Sequence, residues 1–143
     1  MDEKLREKLV GIYQEARVIA VVGASEDESK VGHRIPRYLQ GQGYRIIPVN
    51  PKGGEILGEA VRASLAEVDE PIDVVDVFRP AAEAPEIARE AVDAGAKVLW
   101  LQLGISSEEA RELAESAGVT VVMDMCMGAI HRKLALGPGP REG

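Results

Sequence analysis

Apolar residues along this chain fall into two arrangements: short unbroken runs, and stretches where they recur every third or fourth position. The first marks strands buried on both faces, the second amphipathic helices. Leu5, Leu9 and Ile12 lie at helical spacing among charged residues, so a helix is expected over 1–16. Val18 to Val22 is an unbroken run ending at Gly23 and reads as a central strand. Residues 25–30 are a polar loop, and a helix follows over 31–42 with Ile35, Tyr38 and Leu39 toward the sheet. Pro36 fits that helix only near its start, where a missing N–H costs nothing. Gly41 and Gly43 then stop it.

The second strand covers 44–49 and is closed by Asn50, Pro51, Lys52, Gly53 and Gly54. Residues 56–61 admit a short strand, and a short helix is expected around Leu65. Strands at 72–78, 98–103 and 119–123 then alternate with helices over 82–94 and from Ser107 to Gly118. Glu108 and Glu109 suit the positive end of that last helix. Residues 127–136 form a terminal turn or helix. Crossovers of about a dozen residues or more require parallel strands joined right-handedly. The expected fold is α/β and Rossmann-like: a doubly wound, mainly parallel sheet in a three-layer α/β/α arrangement. One domain is expected over 1–136, and the Gly/Pro tail 137–143 reads as disordered.

Composition narrows the picture. With 143 residues the chain can bury one core, and at 3% aromatics that core is built from Val, Ile, Leu and Ala. The net charge of −7, with no Lys/Arg cluster, argues against nucleic acid or an anionic membrane as partner. Cys126 is the only cysteine, which leaves no internal disulfide or multi-cysteine metal site. No apolar run follows the first residues, so neither a signal peptide nor a membrane anchor is expected and a cytoplasmic setting is the default.

Doubly wound sheets bind ligands at the carboxyl ends of their strands, so the end of the first strand is where chemistry is expected. Gly23 permits a tight turn there, and Ala24 and Ser25 leave room for a phosphate to approach backbone N–H groups. A plain strand-to-helix turn would look the same. A dinucleotide fingerprint would need glycines at 25 and 28, where the chain has Ser25 and Glu28. It would also place an acid at the end of the second strand, where Val49, Asn50 and Pro51 stand, followed by Lys52. The missing acid counts against NAD; NADP stays open.

The run Val21 to Ser25, then Lys30 to His33, then Pro48 to Lys52, together with Asp73 to Pro80, resembles the CoA-binding domain family. It is similar above all to the small stand-alone members and, through them, to the N-terminal domain of the succinyl-CoA synthetase α subunit. The resemblance spans about 19–134. It implies CoA or an acyl-CoA as ligand, with Gly23, Ala24 and Ser25 cradling phosphates and Lys30 and Gly32 over them. Asn50, Pro51 and Lys52 would flank the ribose or its 3′-phosphate. Phe78, Arg79 and Pro80 would wall the adenine or pantetheine channel, and Gln102, Leu103 and Gly104 would border the pantetheine arm. Each also has a plainer reading: lone lysines are usually solvated, and prolines end strands.

No residue is expected to be catalytic and none to bind metal. The succinyl-CoA synthetase relatives carry a phosphorylated histidine in a second domain, and neither His33 nor His131 matches its motif. His33 either donates to a ligand or lies on the helix surface; His131 is structural or exposed. Cys126 reads first as an apolar side chain among methionines, with a mixed disulfide to CoA as the other option. The expected function is therefore a CoA-binding sensor, carrier or partner in acyl-CoA metabolism. The rivals are an NAD(P)-dependent oxidoreductase and a subunit of an acyl-CoA ligase.

Overall fold

The chain runs α1 (Glu3–Glu15), β1 (Val18–Val22), α2 (Val31–Gly41) and β2 (Arg45–Val49), then a small hairpin of β3 (Glu55–Ile56) and β4 (Glu59–Ala60). It continues through β5 (Val74–Val77), α3 (Ala84–Asp93), β6 (Val98–Leu101), α4 (Glu108–Glu115), β7 (Thr120–Val122) and α5 (Met127–Lys133). This computed structural model describes residues 1–139. The main sheet is wholly parallel in the order β2-β1-β5-β6-β7. From β1 the chain steps outward to β2 and later returns across β1 to β5, so the winding reverses between β1 and β5. A doubly wound sheet opens its ligand crevice at such a reversal.

Helices α1, α2 and α5 cover one face, where Leu9, Tyr13, Leu39 and Met127 meet Ile19, Val21, Val74 and Trp100. Helices α3 and α4 cover the other, where Ala88, Ala91, Ala110 and Ala114 meet Val75, Val77, Leu99 and Leu101. Alanines on both helices let their backbones approach closely. Every residue of β5 and β6 is buried, so β6 reads as a continuous apolar run and β5 as one broken only by Asp76, rather than as alternating strands. Capping fits the sequence: Asp2 accepts from the Leu5 N–H at 2.8 Å, and Ser107 from the Ala110 N–H at 3.1 Å. At the open edge of β7, Lys8 Nζ donates to the Val121 carbonyl at 2.6 Å and blunts an otherwise unpaired strand.

The expected three-layer architecture is the one observed; its details differ in four places. Pro36 stands in the sixth position of α2 rather than near its start. Ile35 and Tyr38 turn to α5 instead of the sheet, lying 3.2 Å and 3.4 Å from where a Cβ on Gly128 would be. Residues 56–61 hold no single strand but a tight hairpin, turned by Leu57 and Gly58 at φ 55° and 78°. The segment 82–94 begins as a 3-10 turn over Ala81–Glu83 before α3 takes over. Of the tail expected to be disordered, the Gly139 N–H meets the Gln42 carbonyl at 2.6 Å, and 140–143 lie outside the described residues.

One strand of the core carries a buried carboxyl. Asp76 sits in β5 in register with Val21 and Trp100 and is 0% exposed. Gln102 donates from Nε2 to Asp76 Oδ1, while Oδ2 has no hydrogen-bond partner among the described residues. Burial pushes the carboxyl up to about 7, against a smaller lowering by Gln102. The same surroundings raise the nearby Tyr13 phenol, again chiefly by burial, and its hydroxyl donates to the Met127 carbonyl at 2.6 Å.

The folded-state value for Asp76 stands above the ordinary 3.8. The native state therefore holds the proton through this window, and stability falls as pH rises from about 4 to about 7. The loss is on the order of 4 kcal/mol. Asp76→Asn keeps the shape without the ionisation. Urea denaturation across pH is expected to show a flatter slope between pH 4 and 7, with the variant more stable than the parent at pH 8. An unchanged slope contradicts the assignment.

Candidate functional site

A cleft of about 1070 Å³ opens at the carboxyl ends of β1, β2 and β5. Its walls are the turn after β1, the start of α2, the loop after β2, the segment after β5, and one face of α3 with Leu65 opposite. Of the residues singled out in the sequence, Gly23, Ala24, Ser25, Lys30, Gly32, Asn50, Pro51, Lys52, Phe78 and Arg79 all line it.

The turn after β1 is tightly built. Gly23 has φ 90°, a backbone conformation side chains rarely adopt. A Cβ there would lie 2.9 Å from the Phe78 carbonyl oxygen and 3.0 Å from Arg79 Cδ. The Arg79 side chain therefore passes directly over the turn. A Cβ on Gly32 would lie 2.8 Å from the Gly23 carbonyl oxygen, so α2 can seat its first turn on β1 only with glycine there.

Two N–H groups of the turn are already engaged. Gly23 donates to the Val49 carbonyl at 3.0 Å and Ser25 to the Gly32 carbonyl at 3.1 Å. His33 lies beneath, 7% exposed, with Nδ1 at 2.8 Å from the Ser25 carbonyl. A carbonyl only accepts, so His33 carries a proton on Nδ1. The open donors belong to α2. Val31 and Gly32 are its first residues, their N–H groups have no carbonyl within the helix, and the Lys30 side chain does not cap them. Unpaired N–H groups and the partial positive charge of a helix end are together a donor set suited to an anion.

Side chains add three cations. Lys30 and Lys52 are exposed at the rim. Arg79 pairs with Glu83 through Nε at 3.1 Å and Nη2 at 2.8 Å, and that pairing raises its pKa. Asn50 ties the walls together: Nδ2 donates to the Ala24 carbonyl at 3.0 Å, and Oδ1 accepts from Lys52 and Gly53 N–H at 2.8 and 3.2 Å. Its amide thus fixes the loop after β2 against the turn after β1. Glu90 also lines the cleft, and burial raises its carboxyl, with Glu86 adding to the effect.

Four expected residues, Pro80, Gln102, Leu103 and Gly104, do not line the cleft; Leu103 is 70% exposed. Pro80 is exposed beyond its wall. Gln102 is 5% exposed because its amide turns inward to Asp76. Gly104 lies on the far loop, where its N–H donates to Asp124 Oδ1 at 2.7 Å. Conversely, Glu83, Ile87 and Glu90 were not singled out, although their spacing places them on one helix face directly after the strand that ends at the cleft. His33 and His131 are both buried, the latter 2.8 Å from the Tyr38 hydroxyl through Nδ1. Cys126 is half-buried and caps α5 rather than packing wholly in the core. Among the described residues no cluster of His, Cys, Asp and Glu is arranged to hold a metal, and no helix is long and apolar enough to cross a membrane.

Residues 17–132 match a family model described as a CoA binding domain. The chain is 39% identical over 131 residues to YneT, an uncharacterised protein of Bacillus subtilis, covering 92% of this chain and 97% of that one. It is 32% identical over 130 residues to an ADP-forming acetate–CoA ligase of Archaeoglobus fulgidus, covering 84% of this chain but only 19% of the ligase. A solved structure from Thermus thermophilus superposes with a TM-score of 0.87 at 39% identity, over 94% of this chain and 99% of that one.

Gly32 and Gly41 lie in the same helix and offer a paired test of the close packing. Gly32→Ala forces a Cβ against Gly23, whereas nothing lies within 4 Å of a Cβ on Gly41. Chemical denaturation is expected to show a loss of about 2 kcal/mol for Gly32→Ala. Gly41→Ala is expected to gain about 0.5 kcal/mol from better helix propensity. Equal effects at both positions contradict the packing.

Proposed function

The chain belongs to the CoA-binding domain family, and from that premise we propose that its cleft binds coenzyme A or an acyl-CoA. The observation that carries this reading is the Gly23 turn, held under the open N–H groups of Val31 and Gly32 with Arg79 laid across it. The pyrophosphate takes those N–H groups, with Ala24, Ser25, Lys30 and Arg79 around it. Asn50, Pro51 and Lys52 stand beside the ribose and its 3′-phosphate, and Phe78 walls the channel. Pro80, Gln102 and Gly104 take no part.

Binding, rather than a reaction, is the proposed activity. The lining residues include carboxylates and cations but no nucleophile with a base in hydrogen-bond reach. A cytoplasmic sensor, carrier or partner in acyl-CoA metabolism fits such a site. The ligase relatives favour a second reading, in which this chain is the CoA-binding part of an acyl-CoA ligase completed by another chain. Restored ligase activity on mixing with such a chain supports it. An NAD(P) oxidoreductase is disfavoured by Asn50, which stands where a dinucleotide site carries an acid.

Thermal shift with CoA, acetyl-CoA, NADH and NADPH is expected to raise Tm with the CoA compounds as their concentration passes Kd. No shift at near-millimolar CoA, or tighter binding of NADPH, overturns the reading. Lys52→Ala is expected to weaken CoA about fivefold while leaving dephospho-CoA unchanged; Arg79→Gln weakens both about tenfold. Calorimetry with the two ligands separates these outcomes.

A further inference from the structure

Pro36 occupies a costly place. In the sixth position of α2 it supplies no N–H, and its ring crowds the carbonyl four residues back. That carbonyl belongs to Gly32, and the Ser25 N–H meets it at 3.1 Å from outside the helix. The next residue, His33, donates from Nδ1 to the Ser25 carbonyl at 2.8 Å. Ser25 is thus gripped at its N–H and its C=O by neighbouring residues of one helical turn.

We propose that Pro36 and His33 are positioning residues for ligand binding: Pro36 frees the Gly32 carbonyl for the Ser25 N–H, and His33 holds the Ser25 carbonyl. This rests on the CoA reading of the cleft and adds to it two residues that do not touch the ligand. Neither Pro36 nor His33 lines the cleft. Their effect is to fix the turn and the start of α2 as one rigid unit, so the N–H groups of Val31 and Gly32 stay aimed at the anion without further ordering on binding. The helix gives up an internal hydrogen bond to obtain this.

The test follows from that opposition. Pro36→Ala restores an N–H that competes with Ser25 for the Gly32 carbonyl, in a residue far better suited to a helix interior. Tm is expected to equal or exceed that of the parent, while the Ser25 amide exchanges at least about tenfold faster and CoA binds about five- to tenfold more weakly. His33→Leu weakens CoA in the same sense, and His33→Asn, with an amide N–H near the place of Nδ1, restores most of the affinity. Unchanged CoA affinity and Ser25 exchange in Pro36→Ala overturn the assignment, as does a fall in Tm that accounts for the lost binding. Failure of the parent to bind CoA is a different result: it removes the ligand reading itself and the assignment with it.

Discussion

The Gly32 carbonyl and the Cα beside it form the joint on which the cleft depends. The Cα approaches the Gly23 carbonyl so closely that a single methyl would meet it at 2.8 Å, and the carbonyl accepts the Ser25 N–H at 3.1 Å. Strand, turn and helix therefore meet through backbone atoms, with no side chain between them. This contact fixes where α2 begins, and hence where its open N–H groups point. On either side of it, the Asn50 amide donates to the Ala24 carbonyl and the Arg79 side chain passes over Gly23. Three loops from three strands become one wall.

That arrangement would let a chain of net charge −7 hold the polyanion proposed for it. The global field is unfavourable, so the binding energy must come from nearby dipoles and from a few placed cations. The first N–H groups of α2, Lys30, Lys52 and Arg79 provide these at one end of the sheet. Arg79 is already paired with Glu83, so its charge is oriented before a ligand arrives. Acidic side chains elsewhere do little at this distance once solvent and salt screen them.

Much of this was legible in the sequence because it rests on local pattern. Apolar-rich segments, unbroken in β1 and β6 and interrupted by single polar residues in β2, β5 and β7, mark the strands within a residue or two, and helical spacing marks the helices between them. The turn residues followed from position, since a doubly wound sheet binds at its strand ends. What stayed hidden depends on contacts distant in sequence. Pro36 looks wrong for a helix interior until Ser25 claims the carbonyl it frees. Gln102 sits at a strand end, as a site residue should, but its amide satisfies Asp76 in the core and turns away from the cleft. Asp76 itself looks like an ordinary polar residue until burial removes its solvent. His131, structural or exposed on the sequence alone, is buried against Tyr38, and His33, read as a ligand donor or a helix-surface residue, is buried and donates to Ser25 instead.

CoA binding at this cleft would be read most directly at the backbone amides that face the ligand. Titration of isotopically labelled protein with CoA, followed by amide resonances, reports this residue by residue. The amides of Ala24, Val31, Gly32 and Gly53 are expected to shift together and saturate with one Kd, while Gly11 and Thr120, at the amino ends of the strands, stay put. Shifts centred on Gly11 and Thr120, or none at all at saturating CoA, would contradict it.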